Sequence, residues 1–87
     1  MPNVMANPDN LRRFAAQLSQ ASQQLEQVSS GLNRNLQQTE WNDSERAKFE
    51  QDFQATVRSI NLFSRRIRSE YVPALKRKAA ALDQYKQ

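Results

Sequence analysis

The sequence lacks several residue types on which common protein chemistries depend. None of its 87 residues is Cys or His, and Gly31 is the single glycine. Without Cys there is no disulfide framework and no thiol chemistry, and without His the commonest general base and metal ligand are missing. A phosphate-binding loop needs several glycines. These absences predict a non-enzymatic protein that uses no metal and no cofactor.

Long apolar runs are also missing. No segment approaches the roughly 20 apolar residues of a membrane span, and the opening stretch MPNVMANPDN has no basic region followed by an apolar run. We therefore expect no membrane span and no cleaved signal peptide. The expected location is the cytoplasm, or the cell exterior by a route that uses no cleaved signal.

Charge is present but unevenly distributed. Residues 1–52 carry five Lys/Arg against seven Asp/Glu, whereas residues 53–87 carry eight against two, within a total of +4. An acidic first part and a strongly basic second part indicate a charged partner or a charged tail.

Helical spacing runs through the first half of the chain. Asn7-Pro8-Asp9 is typical of a helix start, with a cap, a first-turn Pro and an acid at the positive end of the dipole. Apolar and small residues then follow at alternating steps of three and four, which predicts a heptad seam on a helix over about residues 8–39. The residues of this predicted seam are Leu11, Phe14, Leu18, Ala21, Leu25, Val28 and Leu32, with Ala15 and Leu36 widening the stripe.

A second helix is predicted over about residues 43–86. Asn42 or Asp43 can cap its start, and Glu45 follows Asn42 by three residues, as in a capping box. Pro73 predicts a kink or a short break. If the chain reverses near residue 41, helix 1 runs out opposite Pro73, so the residues beyond it are expected to overhang as a tail.

Together these patterns predict a single all-α domain over residues 1–87, an antiparallel two-helix hairpin with a short turn near Trp41-Asn42. The apolar stripes are wider than one helix can cover, so we expect two hairpins to form a four-helix bundle, as a homodimer or a heterodimer. In a head-to-tail dimer, the acidic tip would meet the basic half of the other chain. The predicted hairpin and dimer interface consists of Leu11, Phe14, Leu18, Leu25, Val28, Leu32, Phe49, Phe53, Ile60, Phe63 and Ile67.

The basic second half supports an alternative function, nucleic-acid binding. Arg58, Arg65 and Lys76 project within roughly 20° of one another on an uninterrupted α-helix, and such a stripe can follow phosphates. The bland alternative is a solvated face that pairs with a partner's acidic tip. The complete predicted patch for an anionic partner is Arg58, Arg65, Arg66, Arg68, Lys76, Arg77 and Lys78.

The stretch TEWNDSERAKFEQDF places the only tryptophan, Trp41, among acidic residues at the predicted turn. With Phe49 and Phe53 downstream, the hairpin plan and the length, the chain resembles the WXG-100 family, small early-secreted-antigen-like proteins associated with type VII secretion. The resemblance implies a dimeric hairpin that is an export substrate or an adaptor, with a secretion ATPase or a cognate effector as partner. It also implies a turn motif made of Trp41, Asn42 and Asp43, in which Trp41 forms part of a partner-binding groove. A hydrophobic lid over the hairpin end is the alternative role for Trp41.

Two features depart from the family pattern. Asp43 stands where the Trp-x-Gly motif has Gly, although Asp can cap a helix. The family's export signal, Tyr-x-x-x-Asp/Glu after the second helix, has no match here, because Leu75 lies four residues after Tyr71.

Overall fold

The computed structural model describes residues 6–85, with side chains up to residue 84. Helix α1 spans Pro8–Gln38, α2 spans Glu45–Arg66, a π-helical turn spans Ile67–Tyr71, and α3 spans Val72–Tyr85. Helix α2, the π turn and α3 form one continuous arm, called the second arm below, which runs back along α1. Residues 6–85 contain no β-strand. The predicted all-α helical hairpin is therefore confirmed, while the predicted helix end at residue 86 lies outside the described residues.

The start of α1 follows its sequence signals. The Asn7 Oδ1 atom accepts hydrogen bonds from the backbone N–H groups of Asp9, at 2.9 Å, and Asn10, at 3.2 Å. These bonds satisfy two of the N–H groups that a helix start leaves without a partner. Pro8 occupies the first helical position, where its missing N–H costs no hydrogen bond.

The irregularity expected at Pro73 is a wide turn just before it, and the helix does not break. The backbone N–H of Val72 bonds to the carbonyl of Ile67, five residues back. Because Pro73 has no N–H and its ring crowds the carbonyl four residues earlier, a wider preceding turn accommodates it. The turn adds one residue to the helical register, so that Val72 is buried while Tyr71 is exposed.

The contact between the two arms is centred on a line of mostly small residues, which we call the core line. On α1 its members lie seven residues apart, and on the second arm one interval is eight because the π turn adds a residue. Small side chains let two helix backbones approach closely. The core line consists of Ala15, Ser22, Ser29 and Leu36 on α1, and of Val57, Ser64, Val72 and Ala79 on the second arm.

The predicted seam on α1 is therefore rotated from the true one. Phe14, Val28 and Leu32, which were expected to face the second helix, are exposed, whereas Ala15 and Leu36, expected at the margin, are buried. The physical reason is that the shorter residues occupy the closest contact, and the larger apolar residues lie beside it.

The segment after Pro73 is not an overhanging tail. Ala79 and Leu82 are buried, and Arg12 near the start of α1 forms an ion pair with Asp83. The expectation was wrong because the connection between the helices, residues 39–44, is longer than two or three residues. It moves the pairing along the second arm, so that Ser22 lies opposite Ser64 and α3 packs against the first turns of α1.

Candidate functional site: two unlike flanks

A buried pair of hydroxyl groups joins the two arms at mid-length. The Oγ atoms of Ser22 and Ser64 lie 2.6 Å apart, and each hydroxyl also has the other residue's carbonyl within reach, at 3.1 and 3.0 Å. Neither serine is exposed to solvent. Buried hydroxyls are costly unless they are hydrogen-bonded, and here the bonds run between the arms. The pair therefore favours one register of α1 against α2.

An ion pair covers this hydroxyl pair on one side of the hairpin. Arg68 Nη1 lies 2.6 Å from Glu26 Oε2 and donates to Ser22 Oγ at 3.0 Å, while Ser64 Oγ donates to the same Glu26 carboxylate at 2.9 Å. The hydrogen bonds from Arg68 and then Ser64 lower the pKa of Glu26. The carboxylate thus stays ionised and links both arms.

Other polar contacts continue along the same side, which we call the polar flank. Gln54 donates to Asn33, Ser29 Oγ donates to Asn61 Oδ1 at 3.1 Å, and Arg12 pairs with Asp83. A shallow groove of about 380 Å³ runs between these groups. Within residues 6–84, no buried side-chain polar atom is left without a hydrogen-bond partner. The polar flank is therefore closed by contacts within one chain.

The opposite side of the hairpin, which we call the apolar flank, has no such closure. Phe14, Val28 and Phe63 are each about half exposed, at 50%, 59% and 49%. Seven-residue spacing places their neighbours on the same two lines of each arm. The apolar flank consists of Phe14, Leu18, Ala21, Leu25, Val28 and Leu32 from α1, and of Phe49, Phe53, Ile60, Phe63, Tyr71 and Leu75 from the second arm.

The deepest part of the apolar flank is a groove beside the π turn. Its volume is about 410 Å³, and it is lined by Phe14, Leu18, Phe63, Tyr71, Ala74 and Leu75. The rings of Phe63 and Tyr71 meet edge to face with centroids 6.4 Å apart. Because the π turn places Tyr71 outside the core line, the same irregularity that accommodates Pro73 also shapes this groove.

Trp41 lies at the hairpin tip, half buried, and begins an aromatic ladder. Its ring centroid lies 5.2 Å from that of Phe49, and Phe49 stacks on Phe53 at 5.8 Å. The indole N–H donates to Asp43 Oδ1 at 2.8 Å, and the same oxygen accepts the backbone N–H of Glu45 at 3.0 Å. Asp43 thus caps α2 and orients the indole, whereas no side-chain contact of this kind is found for Asn42.

The Asp43 position does not need glycine. No residue in the described part of the chain has a positive φ angle, so the backbone freedom that Gly provides is unused at this turn. The acceptor oxygen of Asp43 instead does work that Gly lacks the atoms to do. The departure from Trp-x-Gly is therefore compatible with a well-formed reversal.

Sequence reasoning missed Arg46, which ties the end of α1 to the start of α2. Its guanidinium donates to the carbonyls of Trp41, at 3.0 Å, Thr39, at 3.3 Å, and Leu36, at 3.4 Å, and its Nε lies 3.4 Å from Glu50. Helix ends leave carbonyls without partners, and Arg46 satisfies several. The only sequence signal was a cation one turn into α2, which is not distinctive.

The seven basic residues of the predicted anionic-partner patch do not act as one group. Arg68 belongs to the polar flank, and Arg66 pairs with Glu70 at 3.3 Å and lies over the Tyr71 ring. The π turn rotates Lys76 by roughly 100° relative to its place on an uninterrupted helix. Its predicted alignment with Arg58 and Arg65 is therefore wrong. No ion pair within residues 6–84 involves Arg58, Arg65, Lys76, Arg77 or Lys78.

The structure also divides the predicted hairpin and dimer interface. Ile67 is buried in the hairpin. The half-buried members lie at the border between the core line and the apolar flank, and they are Leu11, Leu18, Leu25, Phe53 and Ile60. The exposed members, available only to another chain, are Phe14, Val28, Leu32, Phe49 and Phe63.

No helix among residues 6–85 is long and apolar enough to cross a bilayer. In the same part of the chain, no three acidic side chains lie close enough together to hold a metal ion. No protein-family model, curated protein or solved structure matches this chain.

Proposed function

We propose that this protein is a non-enzymatic interaction module, a helical hairpin of the WXG-100 type whose apolar flank binds a second helical chain. In that role it is a type VII secretion target, or the dimeric partner of a secretion-linked protein. The observation that carries the proposal is the apolar flank, with Phe14, Val28 and Phe63 half exposed along one side of both arms.

The contrast between the flanks supports binding by the apolar one. Single exposed apolar residues are ordinary, but a continuous row marks an interaction surface. The polar flank already pairs its charges and hydroxyls within the chain, for example Glu26 with Arg68. The apolar flank has only solvent to face, and a second layer of helices would bury it.

The shape of the molecule supports a helical partner. The hairpin is a rod with extents of 66 × 20 × 18 Å, and its apolar flank follows the long axis from Phe49 near the tip to Leu75. Two helices packed side by side on this face complete a four-helix bundle, in which heptad lines meet along their length.

The tip supports the likeness to the WXG-100 family. The chain reverses at the Trp, and Trp41 packs on Phe49, one of the two downstream aromatic positions of the resemblance. Asp43 replaces the family glycine without altering the reversal, because the turn has no positive φ angle among the described residues.

Nucleic-acid binding through the basic residues is the less favoured alternative. The proposed phosphate stripe depended on a straight line through Arg58, Arg65 and Lys76, and the π turn at Ile67–Tyr71 interrupts that line. If binding to duplex DNA is salt-dependent and tight at physiological salt, the alternative gains over the hairpin proposal.

The experiment is co-expression of the whole chain with the small helical proteins encoded beside its gene, followed by size-exclusion chromatography with light scattering. We expect a complex of two or more chains, either with itself or with a neighbour. A folded monomer at micromolar concentration, both alone and in every co-expression, would remove the proposal.

A further inference from the structure

We infer that the partner on the apolar flank is a second copy of this chain, packed antiparallel so that α1 lies directly against α1 of the other copy. This inference rests on the proposed function, since it needs the apolar flank to be an interface. It adds which chain covers the flank and which helices meet.

The distribution of charge along the rod sets the direction of packing. The tip segment, residues 39–52, carries five Asp/Glu against two Lys/Arg, whereas the far segment, residues 72–85, carries three Lys/Arg against one Asp. A parallel pair would place acidic tip beside acidic tip and basic end beside basic end. An antiparallel pair places each acidic tip beside a basic end, and complementary charge selects that arrangement.

Symmetry then decides which helices touch. Two identical hairpins stacked face to face are related by a two-fold axis in the plane between them. If that axis runs along the helices, the pair is parallel and α1 lies over the second arm. If it runs across them, the pair is antiparallel and α1 lies over α1. The antiparallel choice therefore brings two copies of α1 together.

Helix α1 has the composition of an interface centre. Between Phe14 and Asn33, the single charged residue is Glu26, and it is engaged on the polar flank with Arg68. The surface of α1 beside the apolar flank is uncharged, and interface cores are depleted of charge. The second arm, with its exposed Arg58, Arg65 and Arg66, has no comparable stretch.

Gly31 gives an independent sign of a close neighbour. A glycine within a helix costs about 1 kcal/mol relative to Ala, yet a Cβ atom at Gly31 would meet nothing within 4 Å inside the hairpin. No contact within the described chain thus requires it. Gly31 lies three residues after Val28, at the edge of the apolar flank, where it leaves a gap for a side chain of another helix.

The largest α1 residue on the flank fits that gap. If Phe14 of one copy enters the gap at Gly31 of the other, the two-fold axis passes between residues 22 and 23. Gln24 then lies close to the axis, while Gln38 lies near the tip, far from it. Both are exposed on α1, and both follow the same seven-residue line as Gly31.

Two single-cysteine variants test the arrangement in a chain that has no natural Cys. In the antiparallel α1 pair, Gln24→Cys chains become joined by a short bifunctional thiol reagent, because paired helices lie about 8–10 Å apart. Spin labels on Gln38→Cys chains are about 45 Å apart, from the rise of 1.5 Å per residue. Short distances at both positions mean a parallel dimer and overturn the inference.

A pair of leucine substitutions tests the Gly31 contact. Gly31→Leu and Gln27→Leu both place a good helix former on α1, and Gln27 lies on the opposite side, beside the groove near Glu26. We expect Gly31→Leu to weaken self-association at least about tenfold, or about 1.4 kcal/mol, and Gln27→Leu to leave it unchanged. Equal or tighter association of the Gly31→Leu chain contradicts the contact.

The result separates this inference from the proposed function. A chain that is monomeric alone but forms a complex with a different helical protein refutes the second copy as partner and leaves the proposed function standing. A chain that forms no complex at all refutes both.

Discussion

On one flank of the hairpin, Glu26 and Arg68 reach across from the two arms and meet over a pair of buried hydroxyls. On the other flank, Phe14 and Phe63 line a groove, and each leaves about half of its surface in solvent. Both flanks are produced by the same seven-residue spacing, one step apart around each helix. The comparison teaches that this hairpin is finished on one side only.

The difference assigns separate tasks to the flanks. Directional bonds on the polar flank favour one register, because buried polar groups tolerate few alternatives. Apolar contacts are non-directional and scale with the area removed from water, so they suit association. Folding of the single chain should therefore depend on the core line and the polar flank, and binding on the apolar flank.

The largest expected effect lies between the flanks, at Ile67. Its side chain is almost fully buried, so Ile67→Ala removes a packed side chain and leaves a cavity. We expect a loss of about 2–4 kcal/mol in the free energy of unfolding, measured by urea denaturation. The control Leu62→Ala, at a residue that is 56% exposed on the same arm, should change it by less than about 0.5 kcal/mol. Similar losses in both variants would show that the core is elsewhere.

The next effect sharpens the contrast directly. Phe63→Gln on the apolar flank should weaken association at least about tenfold, since large aromatic residues are frequent hot spots of interfaces. Helicity measured by circular dichroism should stay the same. Leu62→Gln, one residue away but off the flank, is the control. Unchanged sedimentation of the Phe63→Gln chain would mean that the flank is not an interface.

A third prediction concerns the turn that connects the flanks. Asp43→Gly restores the Trp-x-Gly motif but removes the acceptor of the Trp41 indole N–H and of the Glu45 amide. We expect a loss of about 0.5–2 kcal/mol in thermal or urea unfolding. Asp43→Asn keeps the acceptor oxygen and should lose less. A stabilised Asp43→Gly chain would indicate backbone strain that the turn does not show.

The smallest effect is the pH response of the polar flank. Its hydrogen bonds lower the pKa of Glu26 in the folded chain, so their contribution to stability is present above the unfolded pKa of Glu and is lost as pH falls through the folded pKa. The unfolding temperature of the wild type should therefore drop more steeply on acidification than that of Glu26→Gln. The pair is partly exposed, so the difference is modest. Glu40→Gln, in the exposed connection, should follow the wild type; parallel curves for Glu26→Gln would remove the assigned role.

The sequence predicted the course of the chain better than the rotation of its helices. Helical periodicity and the Asn7-Pro8 start located α1, and the reversal at Trp41 followed from the two helix signals. The seam was misplaced because its centre holds Ser22 and Ser29, which count as polar in any hydrophobic pattern although they are buried. Small residues at the closest contact are visible only once both helices are in place.

Two further features depended on three-dimensional contacts. Pro73 signalled an irregularity, but only the structure shows that one extra residue at Ile67–Tyr71 re-aligns α3 with α1. The cross-chain partners of Arg46 and Arg68 are carbonyls and side chains distant in sequence, which no local pattern identifies. The two flanks could therefore not be told apart from the sequence alone.

Sedimentation equilibrium of the wild-type chain beside a Phe14→Gln/Phe63→Gln double variant tests the open apolar flank most directly. The account predicts a wild-type mass of two chains, or of a complex with a co-expressed helical partner, and a double variant that is a helical monomer of about the 10.1 kDa chain mass. A folded wild-type monomer at all micromolar concentrations, with and without partners, or a double variant that associates as the wild type does, would contradict it.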